Sequence, residues 1–239
     1  PEIRFFKEGK PWIPLEKVPL AGSHELKNHA LRVVFDRAEN GFGCIGIETL
    51  LAAEETRFVR SREGAAGLWA LTFKTPPGAD GKQESVALDN RSAAAEVKAV
   101  RVRHGFDFVW RGLSLPGEPG VVDVCAEVRL APGEAASEWR LRVENRSRRF
   151  GLWQSEYPLL RGVVPPGAAD VLLPRGNWGG SLFQRHSGTY TGRYPSHGCP
   201  VQMMAFNLGA SGLYLAAHDG DARAKELSVS REQDVTFRT

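Results

Sequence analysis

The sequence lacks the features that mark several specialised protein classes. Cysteine is scarce: the 239 residues contain Cys44, Cys125 and Cys199, with no CxxC pair and no cysteine–histidine spacing typical of zinc sites. No apolar run approaches the roughly 20 residues of a membrane span, and no signal peptide assigns a compartment. Basic and acidic residues nearly balance, 31 against 28, and are spread along the chain. These absences argue against a disulfide scaffold, a zinc protein, a membrane span and a nucleic-acid partner.

Helical periodicity is also nearly absent. The nearest approach is LLAAEETRFVR (50–60), for which we expect one short helix. Strand patterns recur instead. LRVVFD (31–36) and FGCIGIETLL (42–51) flank an Asn-Gly turn and predict a hairpin. Residues 121–133 and 136–147 alternate apolar and polar side chains with a period of two, and they predict an antiparallel strand pair.

These patterns predict an all-β protein, a large antiparallel β-sandwich with little helix. The proline-rich residues 1–25 are predicted to form an extended N-terminal arm, and residues 26–239 a single sandwich domain. The chain begins without Met, and its last residues, DVTFRT, resemble a strand cut in mid-course. We therefore expect it to be a fragment of a longer protein.

The most informative segment is PRGNWGGSLFQRHSGTYTGRYPSHGCP (174–200), a long stretch with no evident secondary structure of its own. Flat aromatic rings and cations on a glycine-rich backbone suit a polar, ring-shaped ligand such as a sugar. The alternative is a compact loop whose aromatic side chains pack on their own domain. The candidate carbohydrate- or interface-binding residues are Trp153, Tyr157, Trp178, Arg185, His186, Tyr190, Tyr194 and His197.

No catalytic residue, metal ligand or cofactor site is assigned from the sequence. Cys199 is a weak candidate nucleophile, since a reactive thiol needs a base or an electropositive setting and His197 is close only in sequence. Asp219 and Asp221 flank a glycine, which is typical of a turn. A calcium site is the sharper alternative, because carboxylates on a turn suit a hard cation.

Glu156, in the strand-like QSEYP, also leaves two interpretations open. It is either a buried acid or one edge of a polar cleft. A buried carboxylate requires a partner, and Arg161 or Arg175 could supply one.

Three stretches resemble a known family. They are NHALRVVFDRAENGFGCIGIE, WRGLSLPGEPGVVDVCAEVRLAPGEAASEWRLRVENRS, and YPSHGCPVQMMAF with GLYLAAHD, the last being the most specific. Together they resemble galactose-mutarotase-like β-supersandwich domains of uncharacterised glycoside-hydrolase-like proteins, which are distantly similar to the endo-α-N-acetylgalactosaminidase group. The resemblance covers roughly residues 26 to 230.

The resemblance implies a non-catalytic N-terminal domain that supports a downstream catalytic barrel of the same chain and contacts carbohydrate. In such enzymes the catalytic carboxylates lie on the barrel. The implied partners are thus carbohydrate and a catalytic domain, with no nucleic acid and no membrane span.

Two other functions stay open at this point. A stand-alone aldose-epimerase of the mutarotase type would need a His acid and a Glu base near one sugar ring. The candidates are Glu156 with His104, His186, His197 or His218. A protein-interaction module would instead show an exposed apolar patch.

Overall fold

The computed structural model describes residues 4–7, 10–14, 23–38, 40–51, 56–61, 66–163, 169–175, 181–184, 188–209, 211–218, 221, 223–230 and 234–239. Within these ranges every regular element is a strand, which confirms the all-β prediction. None of the described segments is a helix of the length and apolarity needed to cross a membrane. The strands are β1 (Arg4–Lys7), β2 (Lys10–Pro14), β3 (His24–Lys27), β4 (Leu31–Ala38), β5 (Gly41–Thr49), β6 (Thr56–Arg60), β7 (Ala70–Lys74), β8 (Ser85–Asp89), β9 (Glu96–Val102), β10 (Gly105–Leu115), β11 (Glu118–Arg129), β12 (Glu138–Asn145), β13 (Gly151–Leu160), β14 (Asp170–Leu173), β15 (Ser181–Phe183), β16 (Tyr190–Tyr194), β17 (Met203–Asn207), β18 (Gly212–Ala216), β19 (Lys225–Val229) and β20 (Val235–Arg238).

The strands divide among four larger sheets and one ribbon. In spatial order the first sheet is β3-β4-β5-β6, the second β12-β11-β10-β9, the third β16-β19-β20-β13-β7-β8 and the fourth β15-β14-β17-β18. The four are arranged as a four-bladed β-propeller, and β1 pairs with β2 in the separate ribbon. The prediction of one large sandwich, and of the supersandwich that the family resemblance implied, is therefore wrong. Alternation along a strand shows which faces are buried, but it does not assign the strand to a sheet.

Local strand pairings were predicted well. The hairpin expected from residues 31–51 is β4 and β5, whose register closes at Ala38 opposite Gly41. The pair expected from residues 121–147 is β11 and β12, with Val124 opposite Val143. Both pairs join neighbours in sequence, so the pattern and the turn between them suffice to specify the pairing.

The short helix expected over residues 50–60 is wrong where the structure describes it. Residues 56–60 form β6, which pairs with β5 so that Ile47 lies opposite Val59. Phe58 and Val59 are almost completely buried. Burial of an aromatic and a β-branched side chain in the sheet outweighs the helix propensity of the preceding residues. Residues 52–55 lie outside the described part of the chain.

Aromatic rings hold the first sheet against the second. Phe35 and Phe42 of the first sheet lie 4.7 and 5.1 Å, centroid to centroid, from Phe108 of the second. Trp110, on the same strand as Phe108, is fully buried and donates its indole N–H to the Asn90 carbonyl at 3.2 Å. Because these rings interlock in a solvent-free layer, the two sheets meet in one fixed orientation. The same contact fixes how the turns at their ends face each other.

Candidate functional site

A row of charged side chains crosses the third sheet. The strand registers place Arg193 (β16) opposite Glu226 (β19), Glu226 opposite Arg238 (β20), and Arg238 opposite Glu156 (β13). Directly opposed residues of neighbouring strands project to the same side of a sheet. These four residues, termed the charged row, therefore share one face with alternating charge.

Arg238 is the centre of the charged row. Its Nε donates to Glu156 Oε1 at 2.8 Å, and its Nη1 donates to Glu226. Gln154 adds a 2.9 Å hydrogen bond to Glu156 Oε1, and Arg193 Nε lies 3.3 Å from Glu226 Oε2. One guanidinium thus bridges two carboxylates whose side chains are only 18% and 15% exposed. Both acids are fixed and compensated by charge within the protein.

The expected partner of Glu156 is corrected by this geometry. Arg161 instead pairs with Asp234 at 2.8 Å, and the Arg175 guanidinium lies 5.9 Å from the Phe183 ring centroid. The actual partner, Arg238, is 82 positions away in the sequence. Sequence reasoning missed Arg238 and Glu226. The sequence signal that could have found them is that each is a charged residue at an outward position of its strand, Glu226 on β19 and Arg238 on β20.

Hydroxyl groups extend the polar face next to the charged row. Thr191, Ser228 and Thr236 oppose one another on β16, β19 and β20. Thr236 is 6% exposed, and its Oγ1 has no hydrogen-bond partner within the described residues. A buried hydroxyl without a partner is unfavourable, so Thr236 is a strained point of this otherwise satisfied polar face.

Trp153 lies on the strand that carries Glu156, one residue before Gln154. The pairing of β13 with β7 shifts register between Leu152 and Gln154, so Trp153 is the extra residue of a bulge. Bulges redirect side chains and recur near binding sites. The indole is 62% exposed, and Lys74 Nζ lies 4.2 Å from its ring centroid. The result is a flat apolar ring exposed to solvent with a cation over one face.

The three candidate tyrosines are buried or partly buried. Tyr157 is partly buried, and its hydroxyl donates to the Glu127 carbonyl at 2.9 Å. Tyr190 is 7% exposed and donates to the Pro174 carbonyl at 3.0 Å. Burial raises the pKa of both phenols. Tyr194 is half-buried against the core. Their first role is packing, as in the alternative interpretation of residues 174–200.

The predicted long loop also has strands of its own, because β15 and β16 lie within residues 174–200. His197 is exposed in the turn that follows β16. Three other candidates, Trp178, Arg185 and His186, lie outside the described residues.

Cys199 has the opposite of a nucleophile's environment. Its side chain is fully buried, its Sγ lies 3.5 Å from the Val201 carbonyl, and burial raises the pKa of the thiol. A thiol kept protonated and inaccessible is not activated. The hypothesis of a reactive Cys199 is wrong on these grounds.

The calcium alternative receives no support from the described acid. Asp221 Oδ2 pairs with Arg223 at 3.1 Å, and Asp219 lies outside the described residues. Within the described part of the chain no group of three or more His, Cys, Asp or Glu side chains converges as a metal site.

The fourth sheet has an exposed apolar strip. Leu182 (β15), Leu172 (β14), Ala205 (β17) and Tyr214 (β18) oppose one another across all four strands. Leu182 is 62% exposed and Tyr214 is 56% exposed. We term these four residues the apolar row. Such a continuous apolar strip on a solvent-facing sheet is typical of an interaction surface.

Comparison with known proteins relates part of the chain to a protein that is named as a glycoside hydrolase. No family model matches the chain. A protein of Monosiga brevicollis named "Putative glycoside hydrolase 22789" is 35% identical over 144 residues, which is 55% of this chain. The matched region is 11% of that protein's length, so the chain spans about a tenth of the relative it matches. Over more than half of its length, the sequence is thus distantly related to a protein with a glycoside hydrolase name.

Proposed function

We propose that this chain is a non-catalytic, carbohydrate-contacting domain of a glycoside-hydrolase-related protein. The observation that carries the proposal is Trp153, a bulge residue with a 62% exposed ring on the strand of the charged row. Indole rings bind the apolar faces of sugars, and fixed polar groups beside them bind hydroxyls. His197 is exposed and fits the same role, and the proposal also includes Trp178, Arg185 and His186.

The charged row supports binding over catalysis. Glu156 and Glu226 lie on β13 and β19, the strands on either side of β20, and a glycosidase likewise requires a pair of carboxylates. However, the Arg238 guanidinium lies between the two carboxylates and contacts both, where a glycosidase leaves room for the scissile bond and a water molecule. Among the described residues, the hydrogen-bond partners of Glu156 are Gln154 and Arg238, not the histidine that an epimerase would place there.

The test replaces Trp153 and a matched exposed aromatic residue. Trp153→Ala should weaken binding to any glycan that the unaltered chain binds by about fivefold, because one aromatic contact contributes about 1 kcal/mol. Tyr214→Ala removes a ring of similar exposure from another sheet and should leave glycan affinity unchanged. A glycan array followed by calorimetry measures both. Unchanged affinity in Trp153→Ala, or no glycan bound by the unaltered chain, would overturn the proposal.

A second function is favoured by the apolar row. We propose that this face packs on a neighbouring domain of a longer protein, in the accessory role expected for a domain next to a catalytic barrel. The row offers apolar area across a whole sheet, and the Monosiga brevicollis relative is about nine times longer than the matched region.

A charge in the apolar row tests this docking role. Leu182→Lys should hardly change the unfolding temperature of the isolated chain, because the side chain is already 62% exposed. In the longer protein it should lower the unfolding temperature of this domain and increase its cleavage by a protease. Leu152→Lys, at another exposed leucine, is the control. Identical behaviour of the two variants in the longer protein would contradict docking through this face.

A further inference from the structure

A cleft of about 440 Å³ lies where the turns of the first and second sheets meet. One wall is the end of β3 and the start of the turn that leads to β4, residues 26–29. The other wall is Arg101 near the end of β9, His104 in the turn before β10, and the segment after β11. Its size lies within the range of small-ligand sites, roughly 300–1,000 Å³.

The cleft is lined by two cations, Lys27 and Arg101, and two imidazole rings. Lys27, His29, Arg101 and His104 line it, and within the described part of the chain no Asp or Glu side chain does. We term these four residues the basic cleft. The nearby acid of β3, Glu25, is already paired with Arg32 at 2.7 Å. The positive potential of the cleft is therefore not compensated by its own lining, and an anion is the complementary ligand.

Arg101 is held in place by contacts that leave its charge available. Its Nη1 donates to the Glu25 backbone carbonyl at 3.3 Å, and its guanidinium lies 4.7 Å from the Phe106 ring centroid. A carbonyl and an aromatic ring orient the guanidinium without neutralising it. A guanidinium has five N–H donors, so several remain for a carboxylate or sulfate group.

Asn28 fixes the two walls to each other. Its Nδ2 donates to the carbonyls of Ala131 and Glu134 at 2.9 and 2.7 Å. Its Oδ1 accepts from the backbone N–H groups of Ala30 and Leu31 at 2.8 and 2.9 Å. Because both ends of the amide are engaged, the cleft is already formed before a ligand binds, and binding requires little reorganisation.

His104 adds a backbone feature that packing alone does not require. It has a φ of 59°, in the left-handed region that a side chain with a Cβ rarely adopts. Arg103 Nε donates to His104 Nε2 at 3.2 Å, so the ring is held at the edge of the cleft. Glycine would suit this turn better, and strained residues of this kind cluster at functional sites.

From this geometry we infer that the basic cleft binds the anionic group of an acidic saccharide, either a sugar carboxylate or a sulfate ester. That the anion belongs to a saccharide rests on the proposed function. The preference for an anion rests on the cleft alone. The site is separate from Trp153, so the chain has two contacts with different chemistry, one for an apolar sugar face and one for a negative group.

The experiment titrates the chain by calorimetry at low salt with sialyllactose, a glucuronate-containing tetrasaccharide, a sulfated disaccharide, neutral lactose and sodium sulfate. We expect binding of at least one acidic saccharide, weakened by added salt, and no comparable binding of lactose. The carboxylate and sulfate compounds distinguish the two sources of the anion. Binding of sodium sulfate alone, or equal binding of lactose and the acidic saccharides, would overturn the inference.

Three variants test the assigned residues. Arg101→Gln should weaken the acidic saccharide about tenfold or more, since it removes charge-assisted hydrogen bonds. Lys98→Gln, on the same strand and paired with Glu96 at 2.7 Å, is the matched control and should leave binding unchanged. His104→Gly removes the imidazole and relaxes the backbone, so binding should fall without loss of thermal stability. Equal weakening by Arg101→Gln and Lys98→Gln would refute a specific cleft.

The same variants separate this inference from the proposed function. If Trp153→Ala weakens neutral glycans while Arg101→Gln leaves the acidic saccharides unaffected, the basic cleft is refuted and the carbohydrate-contacting role stands. If the acidic saccharide depends on Arg101 and no glycan depends on Trp153, the Trp153 site is refuted and the basic cleft stands.

Discussion

The charged row and the basic cleft use the same kind of side chain in opposite ways. Arg238 lies between two carboxylates of neighbouring strands, and its charge is compensated inside the protein. Arg101 lies against a carbonyl and a phenyl ring, and its charge is left for something else to neutralise. The difference shows that an arginine on a sheet stabilises the fold where the registers bring acids to it. Where they bring none, the arginine is available for a ligand.

The substitution with the largest expected effect on stability is Arg238→Gln. We expect it to lower the free energy of unfolding by about 2–3 kcal/mol, because two partly buried carboxylates lose their shared cation. Arg193→Gln removes a cation of the same row whose side chain is 86% exposed, and it should change the stability by less than about 0.5 kcal/mol. Urea denaturation measures both. Equal effects would mean that Arg238 does not bridge the row.

A second compensated charge, Asp123, provides a pH test. Its pKa is lowered by the hydrogen bond from Arg146, whose Nη1 lies 2.9 Å from Asp123 Oδ2. A depressed folded pKa stabilises the protein above the ordinary carboxyl value of about 3.9, and this stabilisation is lost as the pH falls through the folded value. Asp123→Asn should therefore cost about 1 kcal/mol at pH 7, and this cost should shrink as the pH falls below the ordinary carboxyl value. A cost that is independent of pH would exclude the ion pair as its cause.

In the basic cleft, removal of the backbone strain at His104 should stabilise the protein, unlike the loss of a compensated charge. We expect His104→Gly to raise the free energy of unfolding by about 0.5–1 kcal/mol, because glycine adopts the positive φ of this turn without steric cost. Thermal unfolding with and without an acidic saccharide measures both roles of the residue. A loss of stability in this variant would mean that the imidazole serves the fold.

Arg101→Gln is expected to have only a small effect on stability. The loss of its contact with the Phe106 ring should cost about 0.5 kcal/mol, well below the cost of Arg238→Gln. The two substitutions are chemically identical, so denaturation curves compare the two settings directly. If both cost the same, the distinction between compensated and available charge fails.

Sequence patterns predicted the strands much better than their assembly. The pairs β4–β5 and β11–β12 followed from alternation and turn residues, since each is formed by neighbours in the chain. The third sheet as a whole has no such local origin, because it joins the neighbouring pairs β7–β8 and β19–β20 through the distant strand β13 and adds β16 at its edge. The helix expected over residues 50–60 failed for a related reason, since pairing with β5 decides the state of residues 56–60.

The candidate site was predicted only in part. Trp153 was chosen from composition and is exposed, whereas Tyr190, chosen on the same grounds, is buried and bonded to a backbone carbonyl. Residue type does not reveal this difference, because successive side chains of a strand point to opposite faces. Arg101 and His104 were not selected as a pair, since nothing in the sequence indicates that the turns of two sheets meet.

By itself, the sequence determined that the protein is built of strands, which local pairs they form and which of their faces are apolar. It also determined the relationship to a protein with a glycoside hydrolase name. Only the tertiary structure decided that the strands form four sheets, that Glu156 meets Arg238, and that Lys27 and Arg101 line one cleft. The physical reason is range: alternation and turns act between neighbours in the chain, whereas charge compensation depends on strands that only folding brings together.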